Sequence, residues 1–186
     1  MITDQIAYVM VPPHVHLSKM AIRTLFEAGK LTNVEPLDQP GLYRAAETVT
    51  VVGPNGRTLE LPVFGPSRPK TQVELTAAQA ELLDIPATLE LSGNGSAGEG
   101  VVLRTAFGEL PLSGGVLVPQ NHIHMPPEDA SALGLRDGET IVVGTPGGFR
   151  AEHVAVRVSH MFVTRVHLLN DGNVAAPDEA LFVTTS

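Results

Sequence analysis

A β-hairpin is predicted by ETVTVVGPNG, residues Glu47–Gly56, and by the strand-like run Thr58–Phe64 that follows it. β-Branched residues fill Thr48–Val52, and the Gly-Pro-Asn-Gly segment supplies a tight turn. The first part recurs as ETIVVG at Glu139–Gly144, which again leads through a glycine-rich turn into a second strand. A repeat of this kind predicts two related β subdomains.

The composition supports a β-rich fold and excludes several classes of protein. The chain has 186 residues, of which 43% are apolar, so it can form a packed core. Its 18 Gly and 15 Pro predict frequent turns and short elements. No apolar run approaches the roughly 18–20 residues that a membrane span needs. The net charge of −8 argues against a nucleic-acid-binding surface.

The glycine-rich segment SGNGSAGEG, Ser92–Gly100, is the natural boundary between two halves. We therefore expect one half at about residues 1–91 and the other at about residues 92–186, with strands that can be exchanged between them. Short helices are expected at Lys19–Ala28, at Ala77–Leu83 and from Pro126 to Leu133, because capping residues or prolines begin each pattern.

Two H-x-H motifs, His14-Val15-His16 and His122-Ile123-His124, carry the clearest chemical signal. Residues i and i+2 of a strand point to the same face, so both imidazoles of each motif can reach one metal ion. The chain has no Cys, so any metal must be held by His nitrogen and carboxylate oxygen.

Two single candidate ligands, Glu74 and His167, lie in a sequence context that resembles the H-x-H motifs: an apolar residue, then His or Glu, then an apolar residue. The competing interpretation is that the paired histidines lie on a polar strand face or satisfy loop carbonyls. His153 and His160 have no His partner at i±2 and are interpreted as surface or core histidines.

A second signal is the loop GPSRPKTQVE, Gly65–Glu74, which places Arg68 and Lys70 in a proline-stiffened segment that leads into Glu74. Arg68 offers a planar set of donors suited to phosphate, so this loop could hold an anion beside a candidate metal ligand. The alternative is a solvated loop with no ligand.

Together these residues resemble a known family. The blocks HVHLS at His14–Ser18, GPSRPKTQVE at Gly65–Glu74 and HIHMPPEDA at His122–Ala130 resemble, in the same order, the phosphotransacylases of the propanediol-utilisation type, the phosphate propanoyltransferases. The resemblance extends from about residue 6 to about residue 176.

The resemblance implies an enzyme that interconverts a short-chain acyl-CoA plus phosphate with acyl phosphate plus CoA. It implies a pair of small β-barrel domains with short helices, and two zinc ions in the crevice between them. By position, one ligand set is His14, His16 and Glu74, and the other is His122, His124 and His167. Arg68 corresponds to the arginine expected to hold phosphate. A homodimer is the assembly that the family suggests.

Three departures from the family pattern bear on this expectation. Family members usually carry a basic residue before each H-x-H motif, where this chain has Pro13 and Asn121. The acidic run after the last ligand is replaced by Leu168–Ala175. No microcompartment-targeting extension is visible before the first strand, so a cytoplasmic enzyme outside a shell is expected.

Two other functions stay open at this point. A different β-barrel metalloenzyme, such as a cupin-like oxygenase or a hydrolase, would hold one metal with an open coordination position. A family member without turnover would still bind CoA or metal. CoA itself is expected near Ser92–Gly100, where backbone amides are accessible, and the transfer is expected to be direct because there is no Cys nucleophile or Ser-centred elbow motif.

Overall fold

The computed structural model describes residues 5–92, 95–172 and 181–184. By its internal contacts the chain forms two compact units. We call residues 13–119 the N-terminal unit, and residues 1–12 together with 120–186 the C-terminal unit. No helix within the described residues is long and apolar enough to cross a membrane.

The described elements are mostly short strands, as the composition predicts. In chain order they are β1 (Tyr8–Val11), β2 (His14–His16), α1 (Lys19–Leu25), β3 (Asn33–Pro36), β4 (Tyr43–Val52), β5 (Thr58–Gly65), β6 (Gln72–Glu74), α2 (Ala77–Leu82), β7 (Leu89–Glu90), β8 (Val102–Arg104), β9 (Glu109–Pro111), β10 (Val116–Pro119), β11 (His122–Met125), α3 (Pro127–Leu133), β12 (Thr140–Gly144), β13 (Arg150–Val158), β14 (Arg165–Leu169) and β15 (Phe182–Thr184).

Each unit is built on its own sheet, and each sheet curls into a half-barrel. The sheet of the N-terminal unit has the order β7-β10-β6-β2-β5-β4-β8-β9, with β3 added beside β4. The sheet of the C-terminal unit has the order β1-β14-β11-β13-β12-β15. The mainly β fold with two related sheets and short helices is therefore confirmed.

The two sheets share one topology around the H-x-H strands. In the N-terminal unit, β2 pairs antiparallel with β6 and parallel with β5, which forms a hairpin with β4. In the C-terminal unit, β11 pairs antiparallel with β14 and parallel with β13, which forms a hairpin with β12. The two predicted hairpins and the predicted internal duplication are present.

The compact units do not coincide with the expected halves at residues 1–91 and 92–186. Strands β8 and β10 follow the glycine-rich segment, yet they pair with β4 and β6 of the N-terminal unit. Strand β1 precedes β2 in the chain but pairs with β14 of the C-terminal unit. Strand pairing rather than chain order therefore determines which residues form each unit.

Local capping sets the helix boundaries close to the predicted ones. Ser18 Oγ accepts the Ala21 amide at 3.1 Å at the start of α1, which ends early because Phe26 is extended. Thr76 begins α2 with a capping box, and Gly134 ends α3 in the left-handed region. Each helix follows a strand that carries a candidate ligand, so the caps fix where those strands end.

The H-x-H strands divide their side chains between the core and the candidate site. Val15 and Ile123 are fully buried in the hydrophobic cores of their units. The flanking histidines point to the other face of each strand, as a period of two requires. His14, His16 and His124 are buried on that face, so these imidazoles lie in largely water-excluded surroundings.

Candidate active site

The N-terminal unit brings together His14, His16 and Glu74, which we call the first triad. The antiparallel register of β2 and β6 places His14 opposite Glu74. The Nε2 atoms of His14 and His16 are 3.0 Å apart, and His14 Nε2 lies 3.6 Å from Glu74 Oε2. All three side chains are buried, so three nitrogen or oxygen donors converge in a sheltered position.

Neighbouring groups fix the orientation of both imidazoles in the first triad. His16 Nδ1 lies 3.0 Å from the Phe64 carbonyl oxygen, a contact in which the ring N–H donates and Nε2 is left to face the triad. The Phe64 ring stacks on His14 with centroids 4.1 Å apart and planes at 19°. A buried carbonyl and an aromatic ring therefore hold the two donors in place.

A polar network connects Glu74 to Arg68 through Ser92. Glu74 Oε1 accepts hydrogen bonds from Gln72 Nε2 at 2.7 Å and from Ser92 Oγ at 2.8 Å. The Ser92 hydroxyl also accepts from Gln72 Nε2 at 3.0 Å and from Arg68 Nη1 at 3.2 Å. One donation and two acceptances use the full capacity of a hydroxyl. The network leaves Glu74 Oε2 facing His14.

Arg68 is a half-buried cation within electrostatic reach of the first triad. Burial lowers the pKa of its guanidinium, whereas the Glu74 carboxylate acts in the opposite direction. Its backbone is also held, because the Arg68 amide donates to the Leu17 carbonyl at 2.9 Å. The predicted anion-binding arginine is therefore anchored beside the candidate ligands.

The C-terminal unit brings together His122, His124 and His167, which we call the second triad. The register of β11 and β14 places His122 opposite His167, as β2 and β6 place His14 opposite Glu74. His122 Nε2 and His167 Nδ1 are 3.1 Å apart.

The imidazoles of the second triad are oriented much as in the first. His122 Nδ1 lies 3.1 Å from the Gln120 carbonyl oxygen, a contact that leaves Nε2 to face the triad. The Phe162 ring stacks on His124 with centroids 4.0 Å apart and planes at 11°. Although Phe162 comes from the loop before β14, it covers a histidine as Phe64 does in the first triad.

Burial keeps three of the imidazoles neutral. It is the largest cause that lowers the pKa of His16 to about 2, of His124 to about 4 and of His167 to about 3. Neighbouring imidazoles add to the effect, since a second positive charge nearby is unfavourable. Neutral imidazole is the form that ligates a metal, so these histidines are prepared for coordination without losing a proton.

The donor geometry of both triads fits a divalent metal such as zinc. Within each triad the three candidate ligand atoms lie within 4.8 Å of one another. Tetrahedral zinc with bonds of about 2.0–2.1 Å separates neighbouring ligand atoms by about 3.3 Å. The measured separations of 3.0, 3.1 and 3.6 Å lie close to that value. Three protein ligands per triad also match catalytic zinc sites, which keep one position for substrate or water.

The structure assembles the predicted residues and adds others. All six candidate ligands form the two triads, and His153 and His160 are exposed outside them. The hydrogen bonds of the Gln72 and Ser92 side chains to Glu74 do not follow from any of the sequence motifs. Of the departures noted after His167, Asn173–Ala175 lie outside the described residues.

One residue of the glycine-rich segment expected near CoA borders a cavity of about 770 Å³ in the N-terminal unit, and residues 93–94 of that segment lie outside the described residues. Gly95 lines it together with Ser18, Lys70, Thr71 and Gln72. The placement of CoA there stays a prediction.

Comparison with known proteins identifies the family. The family described as phosphate propanoyltransferase matches residues 10–177. A phosphate propanoyltransferase of Klebsiella pneumoniae subsp. pneumoniae is 40% identical over 171 residues, which cover 90% of this chain and 81% of that protein. The phosphate propanoyltransferase of Shewanella putrefaciens is 37% identical, and the match covers 88% of this chain and 79% of that protein. The phosphate propanoyltransferase of Rhodobacter capsulatus is also 37% identical, and the match covers 83% of this chain and 74% of that protein. This chain, with its two triads on duplicated strands, belongs to the phosphate propanoyltransferase family.

Proposed function

We propose that this protein is a zinc-dependent phosphate acyltransferase that interconverts a short-chain acyl-CoA plus phosphate with acyl phosphate plus CoA. Membership of the phosphate propanoyltransferase family supports the acyl transfer. The observation that carries the metal dependence is the convergence of three nitrogen or oxygen donors in each of two triads.

One zinc ion is assigned to His14, His16 and Glu74, and a second to His122, His124 and His167. Bound zinc would supply Lewis-acid stabilisation of the acyl oxygen and would offset the charge of phosphate. The chain's own contribution is to present neutral imidazoles at His16, His124 and His167, and to hold Glu74 through Gln72 and Ser92.

Arg68 is assigned to the phosphate. Its guanidinium can donate two parallel hydrogen bonds to a phosphate dianion, which orients one phosphate oxygen for attack on the thioester carbon. That oxygen forms the new C–O bond as the C–S bond breaks, and the electron pair leaves with the CoA sulfur. The Ser92 hydroxyl fixes one edge of the guanidinium and thereby its direction.

Transfer is assigned as direct. The sequence has no Cys, so a thioester-linked enzyme intermediate has no acceptor. An acylated side chain trapped from the protein during turnover, and shown to form and decay at the turnover rate, would contradict this step.

The first experiment combines metal analysis with a thioester assay. Zinc-loaded protein is mixed with CoA and propanoyl or acetyl phosphate, before and after chelation. We expect two zinc ions per chain and turnover that is lost on chelation and restored by zinc. His16→Ala and His124→Ala each reduce the zinc content to one ion and abolish turnover, whereas the exposed control His160→Ala changes neither.

The alternatives give different results in the same experiment. One zinc ion per wild-type chain would favour a single-metal enzyme on a β-barrel. Two zinc ions with CoA binding, but without turnover on either acyl phosphate, would favour a binding protein or a changed substrate. The variant Arg68→Ala keeps both zinc ions and raises the KM for the acyl phosphate if the assignment of Arg68 is correct.

A further inference from the structure

Two arginines flank the second triad on the sheet of the C-terminal unit. The parallel register of β11 and β13 pairs His124 with Arg157. The antiparallel register of β11 and β14 pairs the same His124 with Arg165. Directly paired residues of neighbouring strands point to the same face of a sheet. Arg157, His124 and Arg165 therefore form a row across three strands, on the face that carries the triad.

The electrostatics of the triad agree with this row. After burial and the neighbouring imidazoles, the positive charge of Arg157 also lowers the pKa of His124, and that of Arg165 also lowers the pKa of His167. Both arginines are only partly buried, so their guanidinium groups remain within reach of a ligand from solvent.

The row has no counterpart in the first triad. There the register pairs His16 with the neutral Gln72. The parallel neighbour of β2 carries Phe64, which packs against the triad as an aromatic ring. The first triad also contains a carboxylate, whereas the second consists of three imidazoles. The second triad therefore has two arginines paired with one of its histidines, whereas the first triad has Arg68 from a loop and a carboxylate of its own.

The positive charge beside the second triad suits an anionic ligand. The ion pairs found among the described residues do not include Arg157. Arg157 and Arg165 add positive charge beside the three imidazoles in a chain of net charge −8, and a local positive potential of this kind attracts an anion. A divalent metal in the triad would increase that potential.

We propose that Arg157 and Arg165 form an anion subsite beside the second triad that binds a phosphate group of a substrate, separately from Arg68. The proposal rests on the proposed function, because the phosphate group belongs either to inorganic or acyl phosphate or to the nucleotide end of CoA. The subsite offers two planar guanidinium donors, which suit phosphate oxygens better than ammonium groups do. The two arginines also supply positive charge of the kind that family members usually carry just before each H-x-H motif, where this chain has Pro13 and Asn121.

The test uses Arg157→Gln, Arg165→Gln and the double variant, with Arg150→Gln as the matched control. Arg150 lies on the same strand as Arg157, but its exposed side chain pairs with Glu152 at 3.0 Å. Metal-free protein is titrated with inorganic phosphate and with adenosine 3′,5′-bisphosphate, and binding is measured by calorimetry. In zinc-loaded protein, KM is measured for phosphate, for propanoyl-CoA and for the same thioester without its 3′-phosphate.

We expect each single variant to weaken binding of one of the two probes by about 10-fold or more, as for a lost charge-assisted hydrogen bond. The double variant weakens it further, and Arg157→Lys retains part of the affinity. If the bound group is inorganic or acyl phosphate, the KM for phosphate rises. If it is the 3′-phosphate of CoA, only the KM for intact propanoyl-CoA rises.

The proposal is overturned if the double variant, folded as judged by its unchanged Tm, binds both probes and both substrates within twofold of wild type. The titrations of metal-free protein separate this result from a failure of the proposed function. Loss of probe binding in the variants, with no turnover by the wild type, would support the subsite and contradict the acyltransferase assignment. Turnover by the wild type, with no effect of the arginine substitutions on binding or KM, would support the acyltransferase assignment and contradict the subsite.

Discussion

Replacing Ser92 with Ala removes the group that connects Arg68 to Glu74. Three hydrogen bonds are lost, of which the donation to Glu74 Oε1 at 2.8 Å and the acceptance from Arg68 at 3.2 Å involve charged groups. A hydrogen bond to a charged group contributes about 1.5–3 kcal/mol when its partner is buried. Glu74 is buried, so the loss there is near this range, but Gln72 keeps its own bond to the carboxylate. Arg68 is half-exposed, and water replaces most of what it loses.

These terms predict that Ser92→Ala raises the Kd of zinc at the first triad by about 10-fold and up to 100-fold, the usual range for groups that orient a ligand. We expect the KM for phosphate to rise by a smaller factor, about threefold, because Arg68 loses its fixed direction but keeps its charge. Zinc affinity is measured by competition with a chelator, and kcat and KM are measured separately at saturating zinc.

The control is Ser96→Ala, from the same glycine-rich segment. Ser96 Oγ also donates to a carboxylate at 2.8 Å, that of Glu90, but both groups are exposed and distant in sequence from the ligands. This variant should match wild type in zinc affinity and in the KM for phosphate. If Ser92→Ala also stays within twofold of wild type in both quantities, the network does not hold the site and the reasoning is refuted.

Three further predictions follow from burial and packing. The metal-free chain should lose stability as the pH falls below about 6.5, because the unfolded chain then binds protons at histidines whose pKa is lowered to about 2–4 in the folded state. The Tm should therefore fall between about pH 7 and pH 5. A constant Tm over this range would contradict the burial of neutral imidazoles. Gly53→Ala should destabilise the chain by about 1–3 kcal/mol, because the added Cβ would lie 2.2 Å from the Leu83 carbonyl oxygen. Each kcal/mol corresponds to a decrease in Tm of about 2–4 °C. An unchanged Tm would show that the backbone can move to accommodate the methyl group without loss of stability. Phe162→Leu should weaken zinc binding at the second triad severalfold, because the ring that stacks on His124 is lost. The control Phe107→Leu, at an exposed position, should leave zinc binding unchanged. Equal zinc affinities in the two variants would show that the stacked ring does not position His124.

Much of the fold follows from local patterns. The turn at Gly53–Gly56 and the alternation in Thr48–Val52 predict the β4–β5 hairpin, and their recurrence predicts its counterpart in the C-terminal unit. The division of the chain was not predictable in the same way. It depends on the pairing of β10 with β6 and of β1 with β14, which are contacts between distant residues that no local pattern specifies.

The candidate ligands were predictable because a strand has a period of two, which places both histidines of H-x-H on one face. Arg165 lies two residues before His167, so the same rule could have placed it beside the triad. Arg157 could not be found this way, since its position opposite His124 depends on the register of β13. Ser92 lies in a segment whose composition predicts a boundary and accessible backbone amides, and the role of its side chain depends on the tertiary position of Glu74.

The most direct test of the central claim is turnover as a function of bound zinc. Protein freed of metal is titrated with zinc, and propanoyl-CoA formation from propanoyl phosphate and CoA is measured at each zinc content. We predict no turnover without zinc and full turnover only when two ions are bound per chain. Turnover that persists in metal-free protein, or that is complete with both triads removed by substitution, would contradict the assignment of the triads as the zinc sites of a phosphate acyltransferase.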